Sequence, residues 1–179
     1  MLEILIYVGI ALAAFFLVII GLALTKPKKF VVERSQNIQA SPAKIYEYIS
    51  DFHHWKSWSP WEKLDPEMQA TFSGAEKGKG AVYEWLGNKK AGQGRMEILD
   101  AEPERYVSIK LDFIKPFPSH NTTTFKLEPQ AEHSTVMTWR MEGPMVFMGR
   151  VMSVFINMEK MVGRDFENGL LNLKELAEK

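Results

Sequence analysis

The N-terminal part of the chain is a long uninterrupted run of hydrophobic positions. Residues 4–25 read ILIYVGIALAAFFLVIIGLALT, and none of these side chains carries a formal charge. A helix of this length would extend about 33 Å, which is close to the hydrocarbon thickness of a bilayer, about 30 Å. The run therefore predicts a single transmembrane anchor.

A cleaved signal peptide is the competing interpretation of this run. Signal peptides begin with a basic segment, have a shorter apolar core and end at a cleavage site with small residues. Here the only charged side chain before the run is Glu3, the apolar run is longer, and KPKK follows it. These features favour an uncleaved anchor, and the lysines predict that the following domain faces the cytoplasm. We divide the chain into an anchor with its basic flank, 1–29, and a domain, 30–179.

A strand and a short helix are predicted at the start of the domain. Side chains alternate over residues 30–38, although one face carries Arg34 among its apolar residues. Ser41 followed by Pro42 is a typical helix start, in which an N-cap side chain precedes a proline of the first turn. This helix leads into the stretch DFHHWKSWSPW, where Pro60 excludes one regular helix through the whole stretch.

Residues 67–142 have the pattern of an antiparallel sheet. Turn-forming segments such as GNKKAGQG, AEPER and KPFPSH recur about every 10 to 15 residues and separate short extended segments. Hydrophobic and polar residues alternate in RYVSIKLDF and in STVMTWRMEG, so these strands have one apolar and one polar face. Such a sheet requires an apolar cover on one side.

The C-terminal segment is the predicted cover. From about Met148 to Glu178 it contains no proline, and its apolar residues recur at steps of three and four, the period of an amphipathic helix. We predict one long helix, with Gly163 and Gly169 as the places for a bend. The expected fold is α+β, with a curved antiparallel sheet of about seven strands wrapped around this helix and one transmembrane helix before it.

Four segments of the chain carry a family resemblance. They are SPAKIYEYISDFHHWKSWSPW, FSGAEKGKGAVYEWLGN, TVMTWRMEG and MEKMVGRDFENGLLNLKELAE. Over residues 30–179 the chain resembles the SRPBCC or START-like helix-grip superfamily, and within it the polyketide cyclase/dehydrase-like proteins with an N-terminal membrane anchor. The resemblance implies a cavity between the sheet and the long helix, which many members use for lipids or other apolar molecules. The resemblance assigns no catalytic residue to this chain, because some members of the superfamily are enzymes, others bind apolar ligands and others bind a protein partner.

Composition and motifs narrow the function classes. Lys and Arg together number 22, as do Asp and Glu, and no basic run follows residue 34, so a nucleic-acid partner is not expected. The chain has no cysteine, which excludes disulfides, thiolate metal ligands and a cysteine nucleophile. GAEKGKG lacks the Lys-Ser/Thr ending of a phosphate loop, and no cofactor is predicted.

The four histidines do not have the spacing of a metal site. His53 and His54 are neighbours, so their side chains project in different directions. His120 and His133 stand apart, without an HExxH pattern or another ligand motif to complete a site. No metal is therefore expected.

Trp55, Trp58 and Trp61 bring three of the five tryptophans into one stretch. The favoured interpretation is a buried plug at one end of the core, since each ring buries on the order of 200 Å². The alternative is that one or two of them line a ligand entrance or meet the lipid headgroups.

The main functional hypothesis is binding of an apolar small molecule or lipid in the expected cavity, close to the membrane. Seven of the ten methionines lie between Met137 and Met161; methionine is typical of adaptable binding surfaces and equally of ordinary cores. Strand and helix alternation predicts the lining as Tyr83, Trp85, Met96, Phe113, Phe125, Met137, Trp139, Met141, Phe155, Met158 and Phe166.

Two other functions remain open at this stage. A cyclase or dehydratase-like enzyme would use an inward carboxylate, Glu84 or Asp112, or else His120 or Tyr83, and outward carboxylates would argue against it. A protein-interaction module would have an interior filled by its own side chains and an exposed apolar patch.

Overall fold

A computed structural model describes residues 1–179, apart from the side chain of Leu2. The helices are α1 (Leu2–Thr25), α2 (Pro42–Ser50), α3 (Trp55–Trp58), α4 (Phe147–Phe155) and α5 (Met158–Ala177), and short 3₁₀ turns occupy Phe52–His54 and Pro60–Lys63. The strands are β1 (Lys29–Ile38), β2 (Gln69–Gly74), β3 (Ala81–Leu86), β4 (Gln93–Glu102), β5 (Tyr106–Lys115), β6 (Ser119–Ala131) and β7 (Ser134–Pro144).

The strands form one antiparallel sheet of seven strands in the order β1-β7-β6-β5-β4-β3-β2. Consecutive strands from β2 to β7 are neighbours, and β1 joins the sheet beside β7. With α5 packed on β1 and β7, this arrangement confirms the predicted α+β helix-grip fold.

Period-two alternation places the core on one face of the sheet. Val107, Ile109 and Leu111 of β5 are buried, and Met137 and Trp139 of β7 lie on the same side. The residues between them are more exposed, so the sheet has the one wet face that the sequence predicts. The edge strand β2 is exposed along its whole length.

The short helix and the tryptophan stretch follow the expected signals. Ser41 caps α2, where its Oγ accepts a hydrogen bond from the backbone N–H of Lys44 at 3.4 Å, and Pro42 occupies the first turn. The stretch after α2 is broken into a 3₁₀ turn, the single helical turn α3 and a second 3₁₀ turn beginning at Pro60.

The C-terminal segment forms two helices and not the single helix predicted from about Met148. Ile156 is extended, and the Asn157 side chain caps α5 by accepting a hydrogen bond from the Lys160 N–H at 2.9 Å. The topology explains the break. Because β7 pairs with β1, the chain leaves β7 beside the end of α1, and it must reverse before α5 can return across the sheet.

Gly163 and Gly169 are close-contact positions within α5 and do not mark its interruption. A Cβ atom at Gly163 would lie 2.0 Å from Nη2 of Arg34, and one at Gly169 would lie 2.7 Å from Cζ3 of Trp139. The absence of side chains therefore allows α5 to approach the sheet at these two points.

Arg34 of β1 forms ion pairs with two residues of α5, one before and one after Gly163. Its Nη1 donates to Glu159 at 2.7 Å and its Nε donates to Glu167 at 2.6 Å. The polar residue that interrupts the apolar face of β1 is thus matched by two carboxylates of the covering helix.

The N-terminal apolar run is a helix that is long and apolar enough to cross a membrane. Over residues 3–25 its large hydrophobic side chains are exposed except for Ile19, whereas a core helix of a soluble domain would bury them. Ile19 and the small residue Ala23 are buried at the end of the helix where α4 packs against α1.

Candidate ligand-binding interior

All predicted lining residues except Phe155 and Met158 belong to one hydrophobic cluster between the sheet and the helices, or pack against it. These nine residues come from strands β3 to β7 and from α5. They are Tyr83 and Trp85 of β3, Met96 of β4, Phe113 of β5, Phe125 of β6, Met137, Trp139 and Met141 of β7, and Phe166 of α5.

Phe155 and Met158 lie at the surface, with exposures of 64% and 38%. This corrects the placement deduced from one continuous helix. Because α4 ends at Phe155 and α5 begins at Met158, the helical register does not continue through the break. Neither residue belongs to the buried cluster that contains the others.

Side chains fill the part of the interior that we call the aromatic cluster, which consists of Trp55, Trp58, Trp61, Phe125, Trp139 and Phe166. Trp139 and Phe166 are stacked with their ring centroids 4.2 Å apart. Trp58 and Trp61 each meet Trp139 edge-on at 5.4 Å. Aromatic pairs of this kind contribute about 0.5–1.5 kcal/mol beyond their buried area. The buried plug is confirmed for Trp55 and Trp58, whereas Trp61 is partly exposed.

The opposite end of the interior contains a buried amide. Asn121 of β6 is 5% exposed, and its Nδ2 donates to Ser119 Oγ at 3.3 Å. Its Oδ1 is buried and has no hydrogen-bond partner among the described residues. A Cβ atom at Gly143 would lie only 2.1 Å from this oxygen, so the glycine makes room for the amide. Leu111, Thr123 and Met141 are the buried neighbours of Asn121 on the sheet. We call the region formed by these four residues the Asn121 end.

Asn121 is a buried polar residue that was not among the candidates from the sequence. On β6 it shares a face with Thr123, Phe125 and Leu127, all of which are buried. Period-two alternation through NTTTFKL is the signal that would have placed it inside. A buried oxygen without a partner costs about 1–3 kcal/mol, and it can accept a hydrogen bond from a hydroxyl or amide group that enters the interior.

Tyr83 is a second polar group at the margin of the cluster. Its hydroxyl donates to Glu62 at 2.6 Å. Burial, followed by this hydrogen bond, raises the pKa of Tyr83 far above its ordinary value. Glu62, from the second 3₁₀ turn, is another residue that the sequence reasoning did not identify.

The two candidate acid–base carboxylates are directed away from the interior. Glu84 is exposed. Asp112 lies opposite the buried face of β5, where Lys110 and His120 contact it at 2.8 and 2.7 Å. Burial opposes ionisation of Asp112, but the hydrogen bonds from these two residues outweigh it and lower its pKa. Neither carboxylate can therefore transfer a proton to a molecule held inside.

The neighbouring histidines have separate contacts. His53 Nδ1 lies 2.8 Å from Asp51, and its ring stacks on Phe72 with centroids 4.1 Å apart. His54 Nδ1 lies 3.1 Å from the backbone oxygen of Glu47. Within the described part of the chain, no three His, Asp or Glu side chains converge on a common point.

Two concavities lie on the surface and not between the sheet and α5. One, of about 380 Å³, follows the outer side of α5 from Asn157 to Asn168. The other, of about 270 Å³, lies on the polar face of the sheet around Arg140 and Thr124. Polar side chains line most of both, so neither is the apolar pocket that the sequence predicts.

The antiparallel sheet, the long helix across it and the apolar interior between them define a helix-grip protein. Residues 29–178 match the family model described as polyketide cyclase / dehydrase and lipid transport. The chain belongs to this family. Membership and fold together support a domain of the hydrophobic-ligand-binding SRPBCC type. No curated protein is significantly similar to this chain in sequence.

Solved structures share the fold at low sequence identity. Protein CV1439 from Chromobacterium violaceum is 16% identical with a TM-score of 0.58, over 86% of this chain and 99% of that one. The Aha1 dimer from Colwellia psychrerythraea is 18% identical with a TM-score of 0.58, over 83% of this chain and 96% of that one. Ara h 8.0201 is 12% identical with a TM-score of 0.55, over 83% of this chain and 97% of that one. At these identities the similarity establishes the fold alone.

Proposed function

We propose that this protein binds a hydrophobic, lipid-like small molecule between the sheet and α5 while α1 tethers it to a membrane. The observation that carries the proposal is the Oδ1 atom of Asn121, which is buried among apolar side chains without a partner. An oxygen in this position can orient a ligand by accepting a hydrogen bond from its polar end.

The surroundings of Asn121 suit the apolar part of such a ligand. Met141 is adaptable in shape, and Thr123 and Leu111 complete a mostly apolar surface. Burial of ligand surface contributes about 25 cal/mol per Å², from which the loss of ligand freedom is subtracted. Hydrophobic burial therefore supplies the affinity, and Asn121 supplies the orientation.

Access is proposed at the first turn of α5. The aromatic cluster closes the other part of the interior, because Trp139 and Phe166 are in stacking contact. The chain is extended at Ile156, so α4 does not continue rigidly into α5. Opening the first turn of α5 would break the ion pair between Arg34 and Glu159 but would not require Trp139 and Phe166 to separate. The ligand displaces side chains at the Asn121 end and leaves the aromatic cluster in place.

Residues 1–29 are the proposed anchor with its basic flank, and residues 30–179 are the proposed binding domain. A bilayer concentrates apolar molecules, and tethering raises their effective concentration at the domain. The lysines of the KPKK segment support a cytoplasmic location for the domain. Protease digestion of the domain in sealed vesicles tests this orientation.

The binding proposal is tested by native mass spectrometry and lipid extraction of the full-length protein after gentle purification. Thr123→Trp fills the Asn121 end, while Thr122→Trp places the same ring at the adjacent, exposed position of β6. We expect an apolar molecule with the wild type and with Thr122→Trp, and its loss with Thr123→Trp. Cooperative thermal unfolding of both variants is the folding control.

A second variant keeps the test valid if Thr123→Trp does not fold. Asn121→Leu is close to isosteric and removes the unpartnered oxygen, so it should stay folded and retain less ligand. Absence of any apolar molecule from the folded wild type in several detergents would contradict the proposal, as would equal recovery from Thr122→Trp and a folded Thr123→Trp.

A protein-interaction module is the second candidate, and the filled aromatic cluster is the observation that favours it. In that case Asn121→Leu would increase stability without changing recovered lipid, because an unpaired oxygen has been removed from a solid core. The same purified samples therefore distinguish the two functions.

A further inference from the structure

The helix α4 packs against the end of α1 that adjoins the domain. At this end of α1, Ala23 is completely buried and Ile19 is only 9% exposed, while the other large hydrophobic side chains of residues 3–25 stay exposed. The position of α4 follows from the sheet. Met145 donates its backbone N–H to the Lys28 oxygen at 2.8 Å, which brings the start of α4 next to the end of α1.

This contact fixes the depth of α4 relative to the apolar span. Ile19 lies six residues before the end of α1 at Thr25, which corresponds to roughly 9 Å along a helix. Helices that lie in a membrane interface bury their apolar face about 5–10 Å into the boundary between headgroups and acyl chains. If α1 spans the bilayer, its partner α4 is held at this depth.

The outward face of α4 is apolar. Its exposed large side chains are Phe147, Met148, Met152 and Phe155, whereas the residues between them are partly buried. Its single charged residue is Arg150, whose guanidinium carbon lies 5.6 Å from the centre of the Phe147 ring. The apolar surface continues beyond the helix through Ile156, Met158 and Met161.

We propose that α4 is an interfacial membrane-binding helix whose exposed face, Phe147, Met148, Met152 and Phe155, contacts lipid. The inference rests on the proposed insertion of α1. A bilayer is the fitting partner because this face is continuous with α1, and because the lysines after α1 occupy the level at which lipid headgroups are expected.

This placement gives the α4 segment a role in access to the interior. Only Ile156 and Asn157 separate α4 from α5, so lipid contact at Phe155 holds the first turn of α5 at the membrane surface. A lipid-like molecule would then pass between the bilayer and the Asn121 end without crossing water.

Depth-dependent fluorescence quenching of the full-length protein in vesicles tests the inference. The chain has no cysteine, so single substitutions can each carry one environment-sensitive label. Phe155→Cys and Met152→Cys report on α4, and Leu12→Cys reports on α1. Leu171→Cys is the matched control, since Leu171 is an exposed residue of α5 that lies far along the chain from the break. The quencher is a bromine or nitroxide group on the lipid acyl chain.

We expect quenching at both α4 positions and at Leu12, and little at Leu171. Quenching at Leu12 with α4 labels no more quenched than Leu171 would overturn the inference and leave the anchor intact. A blue-shifted α4 label without lipid quenching would assign the face to a protein partner and also overturn it. Absence of quenching at Leu12 and at α4 would refute both the anchor and the interfacial helix.

Discussion

Replacing Gly169 by alanine adds one methyl group where α5 meets the sheet. The new Cβ atom would lie 2.7 Å from Cζ3 of Trp139 and 3.1 Å from Cδ of Pro60. Carbon atoms in favourable contact are about 3.5–4.0 Å apart, so the indole ring or the helix must move by about 1 Å. Trp139 has little space for this movement, because it is buried, stacked on Phe166 and bordered by Trp58.

Two opposing effects determine the expected magnitude for Gly169→Ala. Overpacking a filled core costs about 1–3 kcal/mol, whereas alanine is better than glycine in a helix by about 1 kcal/mol. The free energy of unfolding should therefore fall by about 1 kcal/mol. For a domain of this size, that corresponds to a decrease in Tm of about 2–4 °C.

Thermal unfolding of the full-length protein in detergent micelles, followed by tryptophan fluorescence, measures this effect. Gly149→Ala is the control, since its Cβ would meet only the flexible Met145 side chain, at 3.3 Å. It should retain the helix-propensity gain without the packing cost. If Gly169→Ala raised the Tm as much as the control, the interior around Trp139 would contain free space, and the filled aromatic cluster would be refuted.

Three further changes test other contacts. Arg34→Met removes both ion pairs to α5, so it should lower the Tm and weaken the salt dependence of stability; an unchanged salt dependence would show that the pairs contribute nothing. Asp112→Asn should be less stable than the wild type at neutral pH, by less than about 1 kcal/mol. Because the folded-state pKa of Asp112 is lowered, its contribution is present above about pH 4 and is lost as the pH falls through the folded value. Urea unfolding across pH tests this, and a constant difference would contradict it. Asn157→Ala removes the α5 cap and should cost about 1 kcal/mol, with faster hydrogen exchange confined to the first turn; unchanged exchange there would argue against the cap.

The sheet and the N-terminal helix were predictable because their signals are local. Alternation in β5 and β7 identifies the buried face directly, and the Ser41–Pro42 pair marks the start of α2. The uncharged run of residues 4–25 required only its length and composition. In each case neighbouring residues determine the element, and the tertiary contacts agree with them.

The break between α4 and α5 was not predictable in the same way. No proline marks it, and the pattern of apolar residues runs through it without interruption. The helix ends at Phe155 because the chain leaves β7 next to α1, whereas α5 has to pack across the sheet. This requirement follows from the order of the strands. Phe155 and Met158 were consequently assigned to the interior, although the structure places them at the surface.

The glycines of α5 illustrate a second limit. In sequence, Gly163 and Gly169 look like residues that weaken a helix. In the structure, their lack of a side chain leaves space for Arg34 and Trp139, respectively. The partner of each lies on a distant strand, so only the three-dimensional register reveals the close approach. For the same reason, alternation identified apolar residues of the interior but not the unpartnered oxygen of Asn121.

Photo-crosslinking in the membrane can show whether lipid enters the space between the sheet and α5. The full-length protein is reconstituted with lipids that carry a diazirine on the acyl chain, illuminated and mapped by peptide mass spectrometry. We expect adducts on α1 and also on the interior positions of β6 and β7, at Thr123 and Met141. The interior adducts should disappear in Thr123→Trp but not in Thr122→Trp. Adducts confined to α1 and α4, with none on the interior strands, would contradict binding between the sheet and α5.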